Sequence, residues 1–183
     1  MWEQLQEWDT QFLIFLNNLG NSGFDPFWVF ITKIEHWLPL YVLFFFLFLK
    51  TFPIRKAIFS ILGTLIVLVA SIGATEWAKA TAERIRPNNV DLLNEQLRIL
   101  QTPIDYSFFS GHAAVSMAVT VFVVLLLKKQ YNWVSIFYIW PLLFGLSRLF
   151  VGVHYPGDIA VGGLVGLGIG YLGYRLFKQL EKN

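Results

Sequence analysis

Ala57-Ile58-Phe59-Ser60-Ile61-Leu62-Gly63-Thr64-Leu65-Ile66-Val67-Leu68-Val69-Ala70-Ser71-Ile72-Gly73-Ala74-Thr75-Glu76-Trp77 carries no charge before Glu76. It is long and apolar enough to read as a membrane helix, for which roughly 20 such residues suffice. Four further apolar segments flank it, at about Trp37 to Leu49, Gly111 to Leu127, Trp133 to Val151 and Ile159 to Phe177. The first of these could be extended back through Phe27 to Ile34 only by taking in Lys33, Glu35, His36 and Pro39. Together they predict an all-α fold, a polytopic transmembrane bundle of five or six spans. Upstream, Trp8, Phe12, Phe15 and Leu16 recur at helical spacing against Glu3, Gln4, Glu7 and Gln11. That pattern predicts an N-terminal amphipathic helix lying in the interface, with a sixth short span as the alternative.

Composition agrees with a bilayer as solvent. The chain is 56% hydrophobic and 17% aromatic but only 14% charged, too apolar for a soluble domain of 183 residues. Phe and Trp are spread throughout, leaving no polar stretch for a second domain, so 1–183 reads as one membrane-embedded domain. The formal charge of +2 is small and its cations sit in short clusters, which argues against nucleic acid as a partner. There is no cysteine, which excludes disulfides, thiolate nucleophiles and cysteine-held metals. The acidic start Met1-Trp2-Glu3 is unlike a cleavable signal peptide, and no removal is expected.

Charge placement orients the bundle. Lys50, Arg55 and Lys56, then Lys128 and Lys129, then Arg175, Lys178 and Lys182 all fall on one side of an alternating set of spans. By the positive-inside rule that side is the cytoplasm. The stretch from Lys79 to Phe109 and the turn from Gly152 to Asp158 then face outward. Late in the chain Gly162, Gly166 and Gly170 recur every four residues, a stripe that lets helices approach closely in lipid. Gly168-Ile169-Gly170-Tyr171-Leu172-Gly173 matches a dinucleotide-binding spacing, but inside a membrane helix it reads as packing.

Three polar groups fall on the outward face. In the first, Lys79 and Arg86 are seven apart and would share a face of a continuing helix, although Pro87 disfavours helical geometry at Arg86. A lysine at a span end is also ordinary snorkelling. The second is Ser110-Gly111-His112, a Ser N-cap whose free backbone N–H groups make an anion site, or a plain capped helix. In the third, Ser147 to Asp158, Gly152 can end one helix and Pro156 begin the next. Asp158 can then fix one nitrogen of His154 and leave the other free to attack. Lys79, Arg86 and Arg148, with the backbone of Ser110 and Gly111, suit a phosphoryl group. His112 and His154 can divide attack and leaving-group protonation between them.

These residues resemble the type 2 phosphatidic acid phosphatase family of membrane lipid phosphatases, which shares its site with the vanadium haloperoxidases. The likeness lies in Lys79 with six residues before Arg86-Pro87, in Ser110-Gly111-His112, and in Ser147-Arg148, five residues, His154, three residues and Asp158. Phe109 stands where the family usually has proline. The resemblance implies that His154 becomes a phosphohistidine, Asp158 orients it, and His112 is the acid for the leaving group and then the base for water. It implies that Lys79, Arg86, Ser110, Gly111 and Arg148 hold the phosphoryl oxygens. It further implies no metal or other cofactor and inhibition by vanadate.

The rival class is a transporter or channel with a charged site at the outer face, but the charges gather at one face and no internal repeat is present. A zinc hydrolase lacks histidines at ligand spacing, since only His36, His112 and His154 exist. The residues between Asn88 and Tyr106, with Leu92, Leu93, Leu97 and Leu100, are expected to form an interfacial helix or lid. The expected partners are the bilayer and a lipid phosphate or pyrophosphate, with no obligate protein partner. Candidate lipids are undecaprenyl pyrophosphate, phosphatidylglycerol phosphate, phosphatidic acid and the 1-phosphate of lipid A. The expected place is a bacterial inner membrane with the site on its periplasmic or extracellular face.

Overall fold

The computed structural model describes residues 1–181, the side chain of Trp2 excepted. Lys182, one of the cations used to orient the bundle, lies outside them. The described residues form eight α-helices and no strand: α1 Trp2–Asn18, α2 Asp25–Ile31, α3 Leu38–Thr51, α4 Ile54–Ala82, α5 Asp91–Asn94, α6 Gly111–Leu127, α7 Ile139–Phe150 and α8 Pro156–Leu180. Short 3-10 turns at Ile34–Trp37 and Asn132–Tyr138 lengthen α3 and α7 at their starts. Four segments are long and apolar enough to cross a membrane, Ile34–Thr51, Ile54–Asn89, Asn132–Phe150 and Pro156–Leu180, and α6 is a shorter apolar helix. The protein is an integral membrane protein.

Proline opens α2, α3 and α8 near their first residues, where its missing N–H costs nothing. The centre is α6, where Val119, Val123 and Leu127 are fully buried and Phe122 nearly so. Around it pack Phe44 and Phe48 of α3, Val134 and Phe137 of the turn before α7, and Trp140 and Phe144 of α7. α4 shows it a seam of small residues, among them Ala57, Ser60, Thr64, Ser71 and Thr75. The hydroxyls of Ser60, Thr64 and Thr75 donate to carbonyls one turn back, so the seam buries no unmet donor at these three positions. The opposite face of α4, with Leu62, Leu65, Ile66 and Val69, is about half or more exposed, an apolar surface suited to lipid.

The glycine stripe decides how closely α8 meets α6. A Cβ at Gly162 would stand 2.6 Å from the Ser110 carbonyl oxygen, and at Gly166 and Gly170 it would strike the carbonyls of Ala114 and Ala118. Gly168, by contrast, meets no atom within 4 Å. Gly166→Ala is therefore expected to lower stability by roughly 1–3 kcal/mol through overpacking, read as an earlier thermal unfolding midpoint in detergent, while Gly168→Ala leaves the midpoint unchanged. An unchanged midpoint for both would mean that the two helices separate without cost.

Two regions differ from the sequence reading. The segment between Asn88 and Tyr106 is mostly irregular and contains only the four-residue α5. It is held by Leu93 and Leu97, which are buried against Leu13, Leu149 and Tyr155, while Leu92 points out. The N-terminal helix is amphipathic as expected, with Trp8, Phe12 and Phe15 exposed, but its other face is committed to the protein. Asn17, fully buried, donates from Nδ2 to the carbonyls of Leu149 and Phe150 at the end of α7 and accepts from the backbone N–H of Arg98. It supplies partners for groups that a helix end leaves open.

Candidate active site

The end of α4, the start of α6 and the turn from α7 into α8 meet at one end of the bundle. At the other end, Lys56 pairs with Glu181, which itself pairs with Lys178, joining the start of α4 to the end of α8. α4 stops at Ala82, with Glu83 left-handed at φ 45°, and Arg86 is extended at φ −70°, ψ 150° ahead of Pro87. Lys79 and Arg86 therefore do not share one helix face, as a continuing helix would have had it. Asp105, from the returning loop, brings them together: its Oδ2 accepts from Lys79 Nζ at 2.7 Å and Arg86 Nη2 at 3.0 Å. Burial would raise the Asp105 carboxyl, but the hydrogen bonds from Lys79 and Arg86 outweigh it and hold it well below the usual carboxylate range.

Arg86, itself 3% exposed, also reaches the α7–α8 turn. Its Nη1 lies 3.0 Å from the Val153 carbonyl and 2.8 Å from His154 Nε2. A guanidinium can only donate, so Nε2 of His154 is the bare, lone-pair nitrogen and the ring proton sits on Nδ1. Nδ1 faces Asp158 Oδ2 and Ser107 Oγ, both at 3.3 Å. Burial pushes His154 down to about 3, opposed by the hydrogen bond to Asp158 and reinforced by Arg86 and Arg148, so the ring is neutral at pH 7. Gly152, at φ +77°, makes the turn that places it. Asp158, fully buried in the first turn of α8, accepts at Oδ2 from the Tyr155 N–H at 3.0 Å and from Ser107 Oγ.

Arg148 and His112 are joined by Thr32, on the connection after α2. Arg148 Nη1 donates to Thr32 Oγ1 at 2.6 Å and Gln101 Oε1 at 2.9 Å. His112 Nε2 donates to the Thr32 carbonyl at 3.1 Å, its ring 4.3 Å from that of Phe144. The backbone N–H of Ser110 is not free, contrary to the sequence reading: it donates to the Asp158 carbonyl at 3.1 Å, because the glycine face brings α8 against the start of α6. Nor does the Ser110 side chain cap α6. Its Oγ and Arg148 Nε are buried with no partner among the described residues. Five other buried side-chain atoms among the described residues also lack a partner, but these two are donors on the motifs that carry His112 and His154, where a bound anion would satisfy them.

The structure thus links Lys79, Arg86, His154 and Asp158 through direct contacts or Asp105, and Arg148 with His112 through Thr32. Spacing did not reveal Thr32, Asp105, Ser107 or Gln101, nor Arg84, whose Nη1 donates to Asp158 Oδ1 at 2.7 Å. A cleft of about 420 Å³ runs from Lys79, Glu76, Gly111 and His112 down between apolar side chains that include Trp37, Tyr41, Leu68, Ile72 and Trp140. One end of it is charged and the rest is apolar. No group of three or more His, Cys, Asp or Glu side chains placed to hold a metal ion occurs among the described residues.

The family model of the PAP2 superfamily matches residues 55–182. A lipid A 4'-phosphatase of Bacteroides thetaiotaomicron is 29% identical across 98% of this chain and 81% of its own length. An undecaprenyl-diphosphatase of Sulfolobus acidocaldarius is 34% identical across 62% of this chain and 53% of its own. The crystal structure of a transmembrane PAP2-type phosphatidylglycerolphosphate phosphatase from Bacillus subtilis superposes with a TM-score of 0.75 at 22% identity, covering 96% of this chain and 87% of that one.

Proposed function

The chain belongs to the PAP2 superfamily and is a lipid phosphatase of that type, and we propose that it releases phosphate from an envelope lipid through a phosphohistidine on His154, without a metal. The observation that carries this reading is a neutral, buried imidazole whose bare Nε2 meets the Arg86 guanidinium, with Arg148 nearby, while Lys79 and His112 line the charged end of a cleft that is otherwise apolar. Nε2 of His154 attacks phosphorus while the bond to the lipid oxygen breaks, and His112 gives that oxygen a proton. Asp158 holds the Nδ1 proton and stabilises the charge that develops on the ring. The three cations, Ser110 Oγ and the Gly111 N–H then bind the equatorial oxygens. Water, deprotonated by His112, finally breaks the phosphorus–nitrogen bond and frees phosphate.

For the substrate, the 4'-phosphate of lipid A has the strongest support, because the relative of that name aligns with almost the whole chain. A second reading, undecaprenyl pyrophosphate, rests on the relative aligned with a shorter part. The transporter reading fits poorly, since below the site Phe122 and Leu127 of α6 are packed into an apolar cluster with Phe44 and Phe48 of α3. The test is phosphate release by purified protein in detergent, with EDTA present, from lipid A carrying or lacking the 4'-phosphate, undecaprenyl pyrophosphate, phosphatidylglycerol phosphate and phosphatidic acid. EDTA-resistant, vanadate-sensitive release that is fastest from the 4'-phosphate is expected. Release abolished by EDTA, or from none of these lipids, would overturn the proposal.

Sidedness belongs to the same proposal, with the site on the outer face of a bacterial inner membrane. Asn89 and Gln130 are both exposed, at opposite ends of the bundle. In intact cells Asn89→Cys is expected to react with a membrane-impermeant thiol reagent and Gln130→Cys to stay unlabelled until the cells are opened. The reverse pattern would turn the site inward.

A further inference from the structure

We infer that Arg84, clamped by Asp9 of α1, is a positioning residue for the reaction, fixing Asp158 and through it the imidazole of His154. The inference rests on the reading that Asp158 orients His154. Asp158 has two oxygens with different duties. Oδ2 serves His154, Ser107 and the Tyr155 N–H, whereas Oδ1 is reached, among the described residues, by Arg84 Nη1 at 2.7 Å. Held at one oxygen only, a carboxylate can swing about its last torsion. Held at both, its plane is set, and so is the direction from which it meets Nδ1.

Arg84 is itself fixed on three sides. Its Nη2 donates to Asp9 Oδ2 at 2.7 Å, its guanidinium lies 3.8 Å from the centre of the Tyr155 ring, and its carbonyl accepts from the Ser107 N–H at 2.7 Å. Asp9 does more than neutralise it, because Oδ1 also accepts from the Gly157 N–H at 2.7 Å, in the first turn of α8 that carries Asp158. With both arms of its fork on carboxylates, Arg84 is not one of the cations left for phosphate. Lys79 and Arg86 share Asp105, which is 48% exposed at its side chain, whereas the Asp158 that Arg84 holds is fully buried. α1 lies before residue 55, where the family match begins, so this support comes from outside the matched region.

The test uses the full chain in detergent and measures kcat and KM with a lipid phosphate for Arg84→Met, Arg84→Lys and Asp9→Asn, each alone and combined with Asp158→Asn. Arg84→Met is expected to lower kcat about 10- to 100-fold, by analogy with the loss of a hydrogen-bond partner that orients a metal-ligating side chain, with KM within about threefold. Arg84→Lys restores part of that loss and Asp9→Asn gives a smaller one. In the Asp158→Asn background each substitution is expected to cost less than about twofold, because the group it acts through is gone. If Arg84→Met yields no folded protein, Arg84→Lys and Asp9→Asn carry the same cycle. Unchanged kcat, a raised KM with kcat intact, or an equal loss in both backgrounds would overturn the inference. A slow Asp158→Asn beside unaffected Arg84 variants overturns it alone, whereas Asp158→Asn with full kcat overturns the reading of Asp158 as well.

Discussion

His154→Ala is expected to leave the protein folded and to turn over no phosphate ester, whatever its leaving group. The loss is expected on the order of a millionfold, the scale seen when a residue that forms the covalent bond is removed. Folding survives because the ring's neighbours keep other partners: Arg86 retains the carbonyls of Val153 and Asp105 and the Asp105 Oδ2, and Asp158 retains Arg84, Ser107 and the Tyr155 N–H. Turnover by His154→Ala within tenfold of the parent, about 1.4 kcal/mol in barrier, would assign the nucleophile to another group.

His112→Ala is expected to behave differently, and the difference depends on the leaving group. General-acid help of this kind is commonly worth roughly a hundred- to ten-thousand-fold, most when the departing oxygen is strongly basic. An alkoxide leaving from phosphatidic acid, or a sugar alkoxide leaving from the 4'-position of lipid A, needs that proton. A nitrophenolate, or a lipid phosphate leaving from a pyrophosphate, needs it far less. The variant should therefore be nearly inactive on the first two and retain measurable cleavage of the others. In the structure the His112 Nε2 proton is held by the Thr32 carbonyl, so substrate must take the place of that carbonyl. Equal losses on every leaving group would make His112 a phosphate-positioning residue.

What could be read in the sequence followed from local rules. Long apolar runs marked the spans, Gly152 and Pro156 marked the reversal between α7 and α8, and the four-residue glycine period marked the face that meets α6. The boundaries drifted where polar residues continue a helix past the membrane, as in α4, which runs from Ile54 to Ala82 and not from Ala57 to Trp77. The contacts that complete the site were not legible, because they join residues far apart. Asp105 meets a lysine 26 positions away, Thr32 meets Arg148 across 116, and Asp9 meets Arg84 across 75. Arg84 lies inside the first motif, two residues before Arg86, yet nothing in its spacing distinguishes a cation aimed at phosphate from one spent on carboxylates. By sequence the Ser110 N–H is free, because a helix start leaves its first donors open. Only the close approach of α8 shows that the Asp158 carbonyl takes it.

The proposed phosphoenzyme is expected to be trappable. In His112→Ala the phosphoryl group of nitrophenyl phosphate can still reach His154, but water then lacks its base, so the intermediate accumulates. Purified His112→Ala, given radiolabelled nitrophenyl phosphate and quenched in alkali, is predicted to carry an acid-labile, alkali-stable phosphate on the peptide containing His154, with no label in the His112→Ala, His154→Ala double variant. Free nitrophenol released in step with free phosphate and no labelled peptide, or a label that persists in the double variant, would contradict a histidine nucleophile at position 154.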